Sequence, residues 1–242
     1  MQCILRFSEV MKIFRQSILA VSLLIGSSVY GQRILNMPTY TSKPYHFGFY
    51  LGINWYNFHI RHKPNLDDYP GYYSTITRVD PGYHVGIISD LRLANHLNLR
   101  FNPAFAATVR RLEIDTYNPN FLRRQVYVKD VESSFVELPL ELKFSSKRIH
   151  NYLVYITGGL RYNIDLASQE KVLDDELFKI RRNDFAYEVG FGIDIFFEYF
   201  KMSPQLKAGF GFANLLVNDG SVYVNNIDKI YTRSVLFCIT FE

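Results

Sequence analysis

Residues 46–57 read HFGFYLGINWYN and alternate strictly. Phe47, Phe49, Leu51, Ile53 and Trp55 fall on one parity; His46, Gly48, Tyr50, Gly52, Asn54 and Tyr56 fall on the other. Successive strand side chains point to opposite faces, so this is a strand with one apolar and one polar face. The second face is the constraint. A small soluble barrel fills its interior with packed apolar side chains, whereas this strand offers glycine, amide and imidazole. Such a face suits a polar interior, and the apolar face must then be covered from outside.

The pattern recurs, giving eight segments in all. Residues 82–93 set Tyr83, Val85, Ile87 and Leu91 against His84, Gly86, Asp90 and Arg92. Residues 97–109 set Leu97, Leu99, Phe101 and Phe105 against Asn98, Arg100 and Asn102. Residues 133–144 set Leu138, Leu140 and Leu142 against Glu137, Glu141 and Lys143. Residues 152–164 place Arg161 and Asn163 on the polar parity, and residues 185–197 place Glu188 and Asp194 there, opposite Phe191 and Ile193. Residues 201–214 carry Gln205 and Lys207 opposite Leu206 and Phe210; the last segment sets Val235, Phe237, Ile239 and Phe241 against Ser234, Cys238 and Thr240.

Each segment is about as long as a tilted strand needs to cross hydrocarbon, roughly 9–11 residues. Strands of soluble proteins are shorter, about 5–6 residues. The connections alternate in length. Residues 58–81, 110–132, 165–184 and 215–230 are read as long polar connections, and 94–96, 145–151 and 198–200 as short turns. Long external loops and short periplasmic turns mark an outer-membrane barrel. The expected fold is therefore all-β: a transmembrane antiparallel up-and-down barrel of about eight strands over residues 45–242. Pro103, Pro139 and Pro204 fall inside segments. Each removes a ladder hydrogen bond and is read as a bulge or local break. Trp55, Tyr56, Tyr83, Tyr152, Tyr162 and Tyr199 lie near segment ends, where an interfacial aromatic belt is expected.

The N-terminus agrees with that compartment. Lys12 and Arg15 precede the apolar run SILAVSLLIGSSVYG, with small residues before Gln32. This is a secretory signal pattern over residues 1–31, with Met11 as an alternative start and residues 32–44 as a periplasmic segment. An N-terminal anchor is the other reading of the run, but it is too short to span a bilayer. Removing residues 1–31 leaves a net charge near +2 of the original +4, because Arg6, Lys12 and Arg15 leave with Glu9. A charge so small and scattered implies no nucleic-acid partner. Of two cysteines, Cys3 would leave with the signal, so Cys238 has no disulfide partner and reads as a small luminal filler.

No catalytic constellation is visible. His59 and His62 lack a third ligand, so no metal site is expected, and no phosphate loop or dinucleotide fingerprint points to a cofactor or small-molecule substrate. The polar parity does carry charge. Asp90, Arg92, Arg100, Glu137, Glu141, Lys143, Arg161, Glu188, Asp194 and Lys207 are the expected luminal network, five acids and five bases that must pair if the interior is dry. A proton path or polar ligand site is the alternative use of these groups. Phe47, Phe49, Leu51, Ile53, Leu138, Leu140, Phe191, Ile193, Phe237 and Phe241 are the expected lipid-facing set. Glu170, Lys171, Asp174, Asp175, Glu176, Lys179, Arg181 and Arg182 make the third long connection a candidate docking surface.

Several strings together, YHFGFYLGIN (45–54), PGYHVGIISDLRL (81–93), LNLRFNP (97–103), ELPLELKFSSKRIHN (137–151) and YEVGFGIDIFFEYFKMSPQLKAGFGFANLL (187–216), resemble the PorT (SprT) family of Bacteroidota. The resemblance implies an outer-membrane barrel required for protein export by the type IX secretion system and for gliding motility where present. It carries over no catalytic residues. The expected protein is thus a non-enzymatic outer-membrane component with both barrel termini in the periplasm, surrounded by lipid and partnered by other secretion components. A generic structural barrel and a lipid-modifying enzyme are the alternatives.

Overall fold

Among the described residues ten antiparallel strands follow one another: β1 (Tyr45–His62), β2 (Tyr72–Val79), β3 (Pro81–Arg92), β4 (Leu97–Phe101), β5 (Ala104–Asn118), β6 (Arg123–Ser145), β7 (Tyr152–Asp165), β8 (Asn183–Phe196), β9 (Lys201–Gly211) and β10 (Ile227–Phe241). The computed structural model describes residues 35–63, 72–118, 123–168, 180–217 and 227–242. The expected signal at 1–31 and residues 32–34 lie outside the described residues. Asn36–Glu242 form one compact unit. Strand β1 pairs with β10 on one side and β3 on the other, so the sheet closes on itself. Over Phe49–Trp55 closure leaves β1 paired on both sides, which is what a sheet facing hydrocarbon requires.

The ring has eight strands because two of them are interrupted. Strands β4 and β5 hold a single register against β3, Ser89↔Phe101 and Tyr83↔Ala107, and a single register against β6, Leu97↔Phe144 and Ala104↔Glu137. The break between them is Asn102–Pro103. Proline offers no N–H, but the Pro103 carbonyl still accepts from Ile87 N–H at 2.9 Å, and Asn102 N–H donates to the Pro139 carbonyl at 3.3 Å. Strand β2 continues β3 across Asp80 with a one-residue slip against β5, Val79↔Arg110 then Tyr83↔Ala107, which is a bulge. Pro139 stays inside β6 opposite Arg161. Pro204 stays inside β9 opposite Ile239, while the β8–β9 ladder skips from Gly192↔Gln205 to Ile195↔Met202. The prolines mark local gaps in pairing and leave the strand count intact.

Three of the long connections are shorter than expected. Residues 110–132 are mostly strand, because β5 runs to Asn118 and β6 begins at Arg123, paired rung by rung from Ala104↔Glu137 to Asn118↔Arg123. Residues 58–81 hold the end of β1 and all of β2, and β10 already begins at Ile227. Polar composition suggests loop here, but the strands continue in register beyond the apolar alternation. The short turns occupy the opposite end of the barrel.

Burial follows parity. In β1 the outward run Phe47–Trp55 is exposed at every second residue; β8 repeats this over Phe185–Ile193, and β7 over Tyr152–Leu160 except at half-buried Gly158. Each run is nine residues long, the length a tilted strand needs to cross hydrocarbon, roughly 9–11 residues. Of the expected lipid-facing set, Phe47, Phe49, Leu51, Ile53, Leu140, Phe191, Ile193 and Phe237 are exposed, while Leu138 and Phe241 are half-buried against neighbours. Aromatic pairs bridge strands on this surface: Phe49 with Phe241 (5.3 Å), Tyr162 with Phe185 (4.7 Å) and Tyr187 with Phe210 (5.2 Å). Trp55, Tyr83, Tyr152 and Tyr199 are exposed, but Tyr56 is buried in the interior and does not join a belt. It lies on the polar parity, which decides its face.

Inside, glycine makes room for rings. A Cβ on Gly86 would stand 2.6 Å from the Tyr50 ring, and one on Gly192 would collide with the Tyr155 hydroxyl. The outward face tolerates charge poorly. Phe191→Arg should cost about 2–4 kcal/mol if the residue lies near mid-bilayer, and reduce the heat-modifiable folded band of the refolded chain in lipid vesicles. The same substitution at exposed Glu132, outside the apolar runs, should leave that band unchanged.

Candidate functional site

The interior is polar and filled. It divides into three groups of ionic contacts along the barrel. Nearest the short turns, Arg100 Nε lies 2.6 Å from Asp90 and its Nη2 2.9 Å from Glu242. Lys201 Nζ lies 2.7 Å from Glu242 and 3.8 Å from Asp194, and Lys143 Nζ 2.6 Å from Asp194. Ser203 donates to Asp194 as well, and Asn98 Nδ2 donates to Asp90. Three acids meet three bases.

In the middle, Lys207 Nζ bonds Glu141. Arg161 Nη1 lies 2.6 Å from Glu188 and 3.8 Å from Glu137. Glu137 also accepts from the Tyr56 hydroxyl and sits 3.0 Å from His84 Nε2. Farthest from the short turns, Arg110 Nη2 lies 3.7 Å from Asp165, donates to Ser133 Oγ, and stacks 4.1 Å over the Phe58 ring. Asp184 is buried beside this last group.

Nine of the ten expected network residues are buried. The exception is Arg92, half-buried at the rim, where its guanidinium donates to the Thr41 carbonyl and to Asn95 Oδ1 (2.9 Å). It ends a strand at the short-turn mouth, so it meets the N-terminal segment instead of the lumen. Arg110, Asp165, Asp184, Lys201, Glu242 and His84 belong to the network and were not among the expected charges. Parity would have found them: each continues the polar alternation, by a pleat or two beyond the segment core for all but His84. Glu137 and Glu141 serve separate bases and do not form an acid pair. Cys238 is buried, its Sγ 3.8 Å from Gln205 Oε1. His59 and His62 are exposed.

Both ends are covered. At the short-turn mouth, residues 36–44 fold across the opening with one 3-10 turn, Tyr40–Ser42. Tyr40 stacks on His46 (4.1 Å) and its hydroxyl donates to Glu242 Oε2 at 2.9 Å. Burial, reinforced by Glu242, pushes the Tyr40 phenol well above its ordinary range, which keeps it a donor. Arg148 holds the segment by its Asn36 and Met37 carbonyls and stacks 3.8 Å over Phe196. Beneath the segment lies a cavity of about 50 Å³, bordered by Tyr40, Ser145 and Lys201. At the other end Phe58, Ile180, Leu215, Leu216, Ile227 and Ile230 form an apolar lid. Ile180 bridges to Leu216, and Leu215 N–H donates to the Ile230 carbonyl at 2.9 Å, which ties these described residues of the connections to β10. Most of the charged stretch expected to dock partners, residues 169–179, lies outside the described residues.

The family model described as outer membrane protein beta-barrel domain matches residues 32–217. No curated protein matches the sequence. Among solved structures the chain is similar to the outer membrane protein OprG of Pseudomonas aeruginosa, at 12% identity and TM-score 0.43 over 82% of this chain and 95% of that one. It is also similar to Neisserial surface protein A, at 8% identity and TM-score 0.42 over 82% and 98%. A third is Ail, the attachment invasion locus protein of Yersinia pestis, at 10% identity and TM-score 0.40 over 82% and 98%.

Two outcomes are expected from these contacts. Lys207→Met should destabilise the folded chain by about 3–5 kcal/mol because it strands Glu141, and adding Glu141→Leu should recover most of the loss; urea unfolding of the three variants measures both. Tyr40→Ala with Arg148→Ala should admit a small thiol reagent to Ser145→Cys in a Cys3→Ser, Cys238→Ala background. Equal labelling with the mouth residues intact would show that the segment does not cover the lumen.

Proposed function

Because the chain belongs to the outer membrane protein beta-barrel domain family, we propose that it acts in the outer membrane as a non-enzymatic, closed barrel that assembles or stabilises partners of the type IX secretion system, and of the gliding machinery where a cell has one. The observation that carries this reading is the filled interior. An eight-stranded barrel has room only for side chains or one small ligand, and here buried ion pairs and the two end covers take that room. Such a barrel offers no route for a folded protein, so a role in export is a role beside the pore. The resemblance of 81–103, 137–151 and 187–216 to the PorT family of Bacteroidota supplies the system.

In this reading lipid surrounds the outward aromatic and aliphatic residues. The short-turn end and both barrel termini face the periplasm, since long connections favour the outside. The partners dock on the long connections, with the charged residues between 165 and 184 as the leading surface. A generic structural barrel is the second reading, because an interior this well paired would also serve a purely mechanical role.

Deleting the gene in its native host tests the choice. Proteins bearing a C-terminal sorting domain should accumulate in the periplasm while detergent resistance is kept. Normal export with a leaky envelope would instead support the structural reading. Removing residues 168–182 should spare the folded barrel and impair export.

A further inference from the structure

The group of polar residues farthest from the short turns is unlike the other two. The group at the short turns balances three acids with three bases, and the middle group balances Glu137, Glu141 and Glu188 with Arg161, Lys207 and, when it carries a proton, His84. The last group holds Asp165 and Asp184 against Arg110 alone. Among the described residues, eight buried carboxylates therefore face six buried lysines and arginines, where the sequence suggested five and five. A buried charge needs a partner or a metal ion, because desolvation is otherwise too costly.

Asp184 is the acid left over. It is 3% exposed, and no hydrogen bond of 3.5 Å or less reaches either carboxylate oxygen, with the Thr232 and Asn163 side chains as polar groups beside it. No lysine or arginine among the described residues forms an ion pair with it. Arg110 Nη2 is taken by Asp165 and Ser133 and Arg161 by Glu188 and Ser234; Arg110 Nε and Nη1 and Arg161 Nε are unpartnered, but neither guanidinium comes within ion-pair distance of Asp184. Two further buried groups point to a ligand. Asn163, directly opposite Asp184 in the β7–β8 register, is fully buried with its amide oxygen and nitrogen both unpartnered. Thr232 on β10 is buried with its hydroxyl unpartnered.

Gly211 keeps the space between them open. A Cβ there would stand 3.2 Å from Asp184 Oδ1 and 3.0 Å from the Thr232 backbone nitrogen. Any side chain would enter the gap that separates the carboxylate from β10. The lid residues Ile227 and Ile230, on the same strand as Thr232, lie next along the chain toward the long connections.

We propose that Asp184, the Asn163 amide oxygen and Thr232 Oγ1 form a binding site for a hard cation inside the barrel. The donors are a carboxylate, an amide and a hydroxyl, with neither sulfur nor imidazole. That set selects oxygen-seeking ions such as sodium or calcium over zinc or copper. The bound ion supplies the positive charge that the group lacks and ties β7, β8 and β10 together under the lid. Its role is structural, independent of any partner of the barrel.

The test uses the full chain, refolded in detergent, at constant ionic strength set with N-methylglucamine chloride. NaCl, KCl, CaCl2 and MgCl2 are then exchanged in turn, and the thermal unfolding midpoint is read. The expected result is a saturable rise with at least one of these ions, lost in Asp184→Asn and kept in the exposed control Asp130→Asn. If Asp184→Asn does not fold, Thr232→Val must weaken the same response by raising the ion concentration needed. An equal response in wild type and Asp184→Asn overturns the proposal, as does the absence of any ion-specific rise. So does an infrared carboxylic-acid band present at neutral pH and missing from Asp184→Asn, because a proton would then neutralise the residue.

Discussion

Hydrocarbon cannot hydrogen-bond, and the rest of this structure answers to that one fact. A sheet in lipid must leave no edge unpaired, so β1 has to find β10. Once the ring is closed, its inside is cut off from water as well. Arg100, Arg161, Lys143 and Lys207 can stay there only because carboxylates on other strands, adjacent or across the lumen, meet them at ion-pair distance. The outward apolar face and the inward salt network are therefore two consequences of closure. The alternation in HFGFYLGINWYN is the record of both.

The network also explains how the mouth is held. Glu242 accepts from Arg100 and Lys201 inside the lumen and from Tyr40 of the covering segment. A single carboxylate thus links the wall, the luminal bases and the cover. Backbone carbonyls of the segment are taken up by Arg148, His46 and Arg92, so the mouth binds the segment mostly through its main chain. The opposite end is closed by different means, an apolar cluster that joins Ile180, Leu215 and Leu216 of the connections to Phe58, Ile227 and Ile230 of the strands. A barrel closed by charge at one end and by hydrophobic packing at the other is a rigid body suited to carrying surfaces, which is why the proposed role lies in assembly.

Much of this was legible in the sequence, and the reason is physical. Strand parity is a covalent fact, so the faces of Phe191, Glu188 or Lys207 follow once one neighbour is placed. The ring of eight strands survived three prolines because a missing N–H removes one bond while the register continues on both sides, as at Asn102–Pro103. What failed was inference from composition. The stretch 110–132 looked like loop because it is polar, yet it is paired strand beyond the apolar band. Tyr56 looked interfacial because it is aromatic, yet its parity sends it to Glu137. Arg92 has luminal parity but sits at the rim, since parity gives the face and says nothing of depth. Contacts such as Tyr40 with Glu242 join residues far apart in the chain, and no local pattern announces them.

The central claim is that this barrel is closed, its lumen occupied by paired side chains. Electrical recording of the refolded chain in a planar lipid bilayer tests it directly. The account predicts no stable ohmic current steps across a range of holding potentials and salts. Reproducible steps of fixed conductance, absent from protein-free bilayers, would contradict it.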